Sequence, residues 1–396
     1  MPDQIAQKTF RLELSRALAT GVIETAISTF LMLIAVRCFD AGALLKGILA
    51  SSANTGYLLG PLVVYLVGVL RCRASVAAAW LHFCGGLAFF ATAFLSNKIL
   101  FTGFAVLAVS LYSCIIPLTT QIYQDNYPGT RRGKLFSRAV ALRILSGVIF
   151  GVAVGALFKD SMQGFEYLLL TFAACLLFSG LCLLRCPSNP LAQHNVGIFK
   201  GFRHLRTDRL FAQTIMCWML LGFGNLLMWP LRVEYLANPV YGLSLNNWEI
   251  ALLVTVYPNI ARLLLSPFWG RLFDRVNFFK LRVLVNITFM VGIVSFFTSS
   301  SWLGLMTGAI VYGFAGAGGE IAWSLWVTKI APPENVAEYM AVHTFMTGIR
   351  GIVAPMVAFQ LLHFISIGQV AIISLLLMII ASMLLFPKGN RALRIS

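Results

Sequence analysis

Five ionisable residues stand deep inside long apolar runs of this 396-residue chain: Glu24, Arg143, Arg262, Glu320 and Arg350. A charge at the centre of a hydrocarbon layer costs about 2.5–3.5 kcal/mol even on a lenient insertion scale, so each must face water or another of the set. Two acids cannot neutralise three arginines, and at least one guanidinium is left without an acid partner among the five. Such a planar fork of donors binds a carboxylate, phosphate or sulfonate bidentately. The two glutamates offer a second chemistry, because a carboxyl in a low-dielectric cavity can carry a proton. The plainer reading, of equal weight for the glutamates, is a permanent Glu–Arg pair that fixes helix register.

The elements that must position these charges are apolar helices. Hydrophobic residues make up 59% of the chain and charged residues 11%, and the mean hydropathy is +0.84. A soluble fold could not hide that much apolar surface. Stretches of about 20 residues, the length needed to cross a bilayer, fall near 14–36, 44–70, 74–95, 99–122, 137–158, 164–185, 211–235, 247–270, 281–299, 302–327, 338–361 and 365–386. Period-2 alternation is absent, so helices are the way these segments satisfy their backbone groups in lipid.

Of the 30 Lys and Arg, 22 fall on the side shared by the N-terminus, the even-to-odd loops and the C-terminus, Arg16 and Arg282 among them. Arg37, Lys46, Lys98, Lys159 and Arg232 are assigned to the opposite side. The positive-inside rule then makes both termini cytoplasmic. It also explains the net charge of +16 without nucleic acid, because the basic residues lie in short juxtamembrane loops and not on one face. The first apolar stretch runs past the length of a signal-peptide core without a convincing cleavage site, and is expected to be retained. Eight scattered cysteines lack metal-like pairing and read as small apolar fillers.

The longest polar connection, 186–210, divides the spans six and six. A shift of 204 residues superimposes Pro128 on Pro332 and Gly147 on Gly351, which suggests a duplicated unit. The expected architecture is an all-α polytopic membrane protein, with twelve transmembrane helices in two pseudo-symmetric bundles at 1–185 and 211–396. Between spans 8 and 9 stands Gly270-Arg271-Leu272-Phe273-Asp274-Arg275, followed by Lys280 and Arg282, and Tyr127-Pro128-Gly129 with Arg132-Gly133 leads into span 5. These motifs, with the span count and the central linker, resemble the major facilitator superfamily of secondary transporters. Asn277, Phe278 and Phe279 replace that family's second glycine and adjacent basic residues, and the equivalent loop of the first half lacks the acid.

The resemblance implies a central cavity lined by spans 1, 4, 5, 7, 8, 10 and 11, and all five buried charges fall on those spans. With a rise of 1.5 Å per residue, Arg262 lies about 18 Å from Asp274 and Glu320 about 13 Å from Lys329, both near the midplane. Asn225 and Trp323 join the candidate ligand contacts. Gly270, Asp274 and Arg275 are the candidate cytoplasmic gate, with Asp274 able to accept hydrogen bonds from a helix N-terminus or pair with an Arg. The Gly147, Gly151 and Gly155 series in span 5 lacks the Gly-Pro of the superfamily's antiporters, since Val152 follows Gly151.

These features favour a secondary transporter of a small organic solute, an organic anion or zwitterion first, working by rocker-switch alternating access with protons as a candidate coupling ion. Export of amphipathic or cationic compounds is the alternative within transport. A lipid-handling protein or a nontransporting sensor on the same fold are the alternatives outside it. Phosphate-binding loops, metal-spaced clusters and nucleophile elbows are missing from the sequence, so no enzyme activity, cofactor or metal is expected. The expected partners are the solute, protons and the lipid bilayer, with no nucleic acid, for a monomer in a bacterial inner membrane.

Overall fold

The computed structural model describes residues 2–128, 132–190, 200–243, 245–330 and 336–385; the side chains of a few others within helices, Gly270 and Asp274 among them, lie outside the described set. Twelve helical spans follow one another. They are α1 (Pro2–Thr25, Ala26–Phe30, Leu31–Arg37), α2 (Ala43–Ala50, Ser52–Val69), α3 (Ala74–Thr92), α4 (Lys98–Ser113, Ile116–Asn126), α5 (Arg132–Leu157) and α6 (Phe165–Leu184). The second six are α7 (Arg209–Met228, Leu231–Ala237), α8 (Asn247–Ala251, Leu252–Val256, Tyr257–Arg275), α9 (Phe278–Phe297), α10 (Trp302–Ile330), α11 (Val336–Leu361) and α12 (Ile367–Leu385). Eleven candidate spans among the described residues are long and apolar enough to cross a membrane, and α10 supplies a further helix of 29 residues. Exposed Leu87, Phe94, Leu157 and Met383 show the apolar outer surface that such helices turn to lipid.

Each expected span has its helix, and the departures have local causes. α1 starts at Pro2, so Arg16 lies within the helix and pairs with Glu13 at 2.6 Å. α4 is interrupted just before Pro117, and α7 before Leu231, where Pro230 removes an N–H from the helical ladder. α1 and α8 each contain a five-residue π segment, Ala26–Phe30 and Leu252–Val256.

Packing repeats between the halves. α1 packs on α5 and α6, α2 on α4, and α3 on α4 and α6; six spans later, α7 packs on α11 and α12, α8 on α10, and α9 on α10 and α12. Gly147 and Gly351, which coincide under the 204-residue shift, take different neighbours. Gly147 abuts Gly21 of α1, whereas Gly351 abuts Asn54 of α2 in the other half. Pro332 lies outside the described residues.

Candidate functional site: a charged cleft between the halves

In the first half, α1 and α5 cross at two glycines. A Cβ at Gly21 would overlap the carbonyl of Arg143, and one at Gly147 would come within 2.8 Å of Thr25 Oγ1. The close approach lets Thr25 donate towards Gly21 O at 3.0 Å and Gly147 O at 3.1 Å, tying the helices together in the manner of small-residue membrane interfaces. One turn away on each helix stand Glu24 and Arg143, with Nε 3.0 Å from Oε1. That separation makes an ion pair, but the Nε–H is not aligned on the carboxylate and forms no hydrogen bond.

The second half builds its pair at another glycine crossing, between α8 and α10. A Cβ at Gly313 would overlap the carbonyl of Pro258, so the helices meet backbone to backbone. One turn beyond Pro258, Arg262 Nε and Nη2 donate to Glu320 Oε2 at 2.9 and 2.7 Å. Both pairs are partly open, with side chains 23% exposed for each Arg, 35% for Glu24 and 39% for Glu320. They are also near each other. Glu320 contributes to the electrostatic field at Arg143, and Tyr57 of α2 lies in the field of Glu24, Arg143 and Glu320 together.

Four of the five buried charges are therefore gathered as one Glu–Arg pair per half. Arg350 is elsewhere: it is 6% exposed, and its Nη1 donates to the carbonyl of Trp218. Trp323 is half-buried and its ring lies 5.4 Å from that of His343. Asn225 of α7 has a buried Oδ1 without a hydrogen-bond partner. Of the candidate gate, Arg275 is exposed on the last turn of α8, while the burial of Gly270 and the side chain of Asp274 lie outside what is described.

The halves are joined on the face opposite the N-terminus. Among the described residues, every hydrogen bond and ion pair between them lies towards that far face. Lys46 Nζ contacts both carboxylate oxygens of Glu234 at 2.7 Å, Arg37 donates to Leu245 O at 2.9 Å, and Ser51 donates to Ile352 O at 2.8 Å. Asn247 Nδ2 donates to Phe158 O at 2.7 Å and its backbone N–H to Lys159 O at 2.9 Å. The two π segments meet at the deepest of these contacts, through the hydroxyls of Thr29 and Thr255. The described contacts between the halves thus gather on the far face, and the two central pairs stand partly exposed on its terminal side.

Lys46 and Glu234 are 9% and 3% exposed, and Asn238 Nδ2 donates to Glu234 Oε1 at 2.8 Å. Neither residue was among the sequence candidates, although both lie inside the stretches 44–70 and 211–235. Lys46 and Arg232 were assigned to the far-side loops. Arg232 is instead 2% exposed, held between Trp229 and Tyr312 at 4.2 and 4.8 Å. Arg282, assigned to the basic loop after span 8, is inside α9 and 3% exposed. In each case a charged residue within an apolar run was the available signal.

Two six-helix halves around a cleft with one ion pair per half, sealed on one face, define the class: a polytopic membrane protein with the fold of alternating-access carriers. Residues 219–394 match the family model described as Major Facilitator Superfamily. A variant of the nucleoside transporter NupG superimposes with a TM-score of 0.78 at 17% identity, covering 96% of this chain and all of that one. The D-xylose-proton symporter gives 0.74 at 13% identity over 97% of this chain and 98% of that one. A bacterial homolog to the human lysosomal transporter Spinster, in an inward-facing and occupied conformation, gives 0.68 at 13% over 100% and 97%. No curated protein sequence matches. The chain is similar to the Major Facilitator Superfamily by sequence over residues 219–394, and it shares the fold of these transporters along its whole length.

Proposed function

We propose that the chain is a secondary transporter of a small polar solute carrying both charges, a zwitterion, and that the two Glu–Arg pairs are its binding and coupling groups. The observation that carries the reading is the placement of Glu24–Arg143 on one half and Arg262–Glu320 on the other, within each other's field and partly open to the cleft. A zwitterion can replace both partners, its carboxylate taking a guanidinium and its cationic group taking a glutamate. A solute bound in that way ties the halves together, and its release lets them part. The organic-anion preference draws less support from this geometry, because Arg350, the arginine without an acid partner, is turned away to the Trp218 carbonyl. Asn225 and Trp323 are further contact candidates, and Gly270, Asp274 and Arg275 the candidate gate on the terminal face.

A neutral polar solute is the second reading. It is favoured by the internal pairing of the cleft charges, which leaves no net charge for a ligand to balance, and by the nucleoside and D-xylose transporters among the similar folds. Proton coupling through Glu24 or Glu320, a monomeric state, cytoplasmic termini and a bacterial inner membrane complete the proposal; the basic excess on the terminal side supports the orientation. The two bundles joined by a linker at 186–210 would rock about the sealed far-face seam.

The test is counterflow in proteoliposomes with amino acids and betaines, dicarboxylates, nucleosides, pentoses and lipophilic cations. Zwitterion exchange that Arg262→Gln and Arg143→Gln abolish is expected. Flux of another class, unchanged in both variants, would overturn the reading.

A further inference from the structure

Trp218, in the middle of α7, gathers side chains from three other helices. The guanidinium carbon of Arg282 (α9) lies 3.9 Å from the Trp218 ring centre, and that of Arg350 (α11) lies 5.8 Å from it. The rings of His343 (α11) and Trp326 (α10) stand 5.2 and 5.9 Å from the same ring. All four are buried; Arg282 is 3% exposed and Arg350 6%.

Five nitrogens in this cluster have no hydrogen-bond partner: Arg282 Nε and Nη1, Arg350 Nε, His343 Nε2 and Trp326 Nε1. The guanidinium and indole nitrogens are donors only, and the imidazole nitrogen donates in one of its two tautomers. No carboxylate among the described residues lies within ion-pair distance of Arg282 or Arg350. A buried charge left without a partner destabilises a fold by several kcal/mol, and here two cations share one ring. A centre that lacks only acceptors is completed by an anion.

We propose that the Trp218 cluster is a binding site for a small inorganic anion of halide size, enclosed within the second half. Cation–π contact with Trp218 holds the Arg282 fork in place, and the Trp218 carbonyl holds Arg350 through Nη1 while its Nε remains open. Gly222 gives the Arg350 guanidinium its room, since a Cβ there would overlap it. Access is from the terminal face: Arg282 lies about 6 Å along α9 from the start of that helix, and Trp218 about 14 Å along α7. The bound anion bridges α7, α9 and α11, and so stiffens the second half as a unit.

The test is the apparent unfolding midpoint of purified full-length protein at constant ionic strength, with sodium gluconate exchanged for chloride, bromide or nitrate. A rise that sets in near half-saturation and continues at about 2 °C per tenfold anion is expected, with no anion dependence in Arg282→Gln. Iodide titration of tryptophan fluorescence tests the same site in the wild-type protein, without reliance on that variant's folding. A saturating quench that Trp218→Phe removes is expected. Identical midpoints in every salt, with Arg282→Gln at least as stable as wild type, would overturn the proposal, as would a quench that stays linear in iodide.

Discussion

At the residue scale the two central pairs differ in geometry, and the difference predicts different sensitivities. Arg262 makes two hydrogen bonds to one Glu320 oxygen, whereas Arg143 lies beside Glu24 without one. Charged hydrogen bonds are worth about 1.5–3 kcal/mol, and less when solvent reaches them. Arg262→Ala should therefore lower the unfolding midpoint by 1–3 °C, and Arg143→Ala by less. Both should remove transport. The reciprocal exchange, Arg262→Glu with Glu320→Arg, separates folding from function: it should recover the midpoint lost in Arg262→Ala and leave counterflow absent. Recovery of counterflow as well would mean that the pair is structural and that the solute binds elsewhere.

At the scale of the helix, each pair depends on a close crossing. Gly21→Val should push α1 from α5, because even a Cβ would overlap the Arg143 carbonyl. The expected cost is about 1–3 kcal/mol, the usual range for an overpacked interior, with counterflow lost. Gly68→Ala is the control, since its Cβ would meet nothing within 4 Å, and it should change stability by less than about 1 kcal/mol. Midpoints of both variants beside wild type test the contrast. The twelve spans were legible in the sequence because length and hydropathy alone decide what crosses a bilayer. The breaks were less so: Pro117, Pro230 and Pro258 stand beside three of them, but the π segment at Ala26–Phe30 has no proline to announce it, and it meets its counterpart Leu252–Val256 through Thr29 and Thr255. Such turns often mark functional sites. The cleft charges were legible as misfits in apolar runs, but pairing was not, because only helix packing decides that Arg350 faces Trp218 while Arg262 faces Glu320. Lys46, Arg232, Glu234 and Arg282 were missed because proximity to a span end was read as exposure.

For the whole molecule, the Lys46–Glu234 contact predicts how the two faces alternate. It joins α2 to α7 across the halves and is buried on both sides, so opening the far face must separate the charges. Lys46→Met leaves Glu234 buried with Asn238 as its one side-chain hydrogen-bond donor among the described residues, which costs the sealed state about 3–5 kcal/mol. If the far-face-open state is wetter, as alternating access requires, it is spared most of that cost. The equilibrium then moves towards it by about 100-fold or more. Apolar replacement of both partners, Lys46→Met with Glu234→Leu, removes the uncompensated carboxylate and should restore the seal, since buried pairs are often no more stabilising than well-packed apolar groups. The measurement is labelling of Thr255→Cys by a membrane-impermeant thiol reagent applied to the far face, in a background with the eight native cysteines replaced. Labelling should be slow with the pair intact, fast in Lys46→Met and slow again in the double variant. Equal rates in all three would mean that the Ser51–Ile352, Arg37–Leu245 and Asn247 contacts hold the far face without the ion pair, and that Lys46 and Glu234 set only the register of α2 against α7.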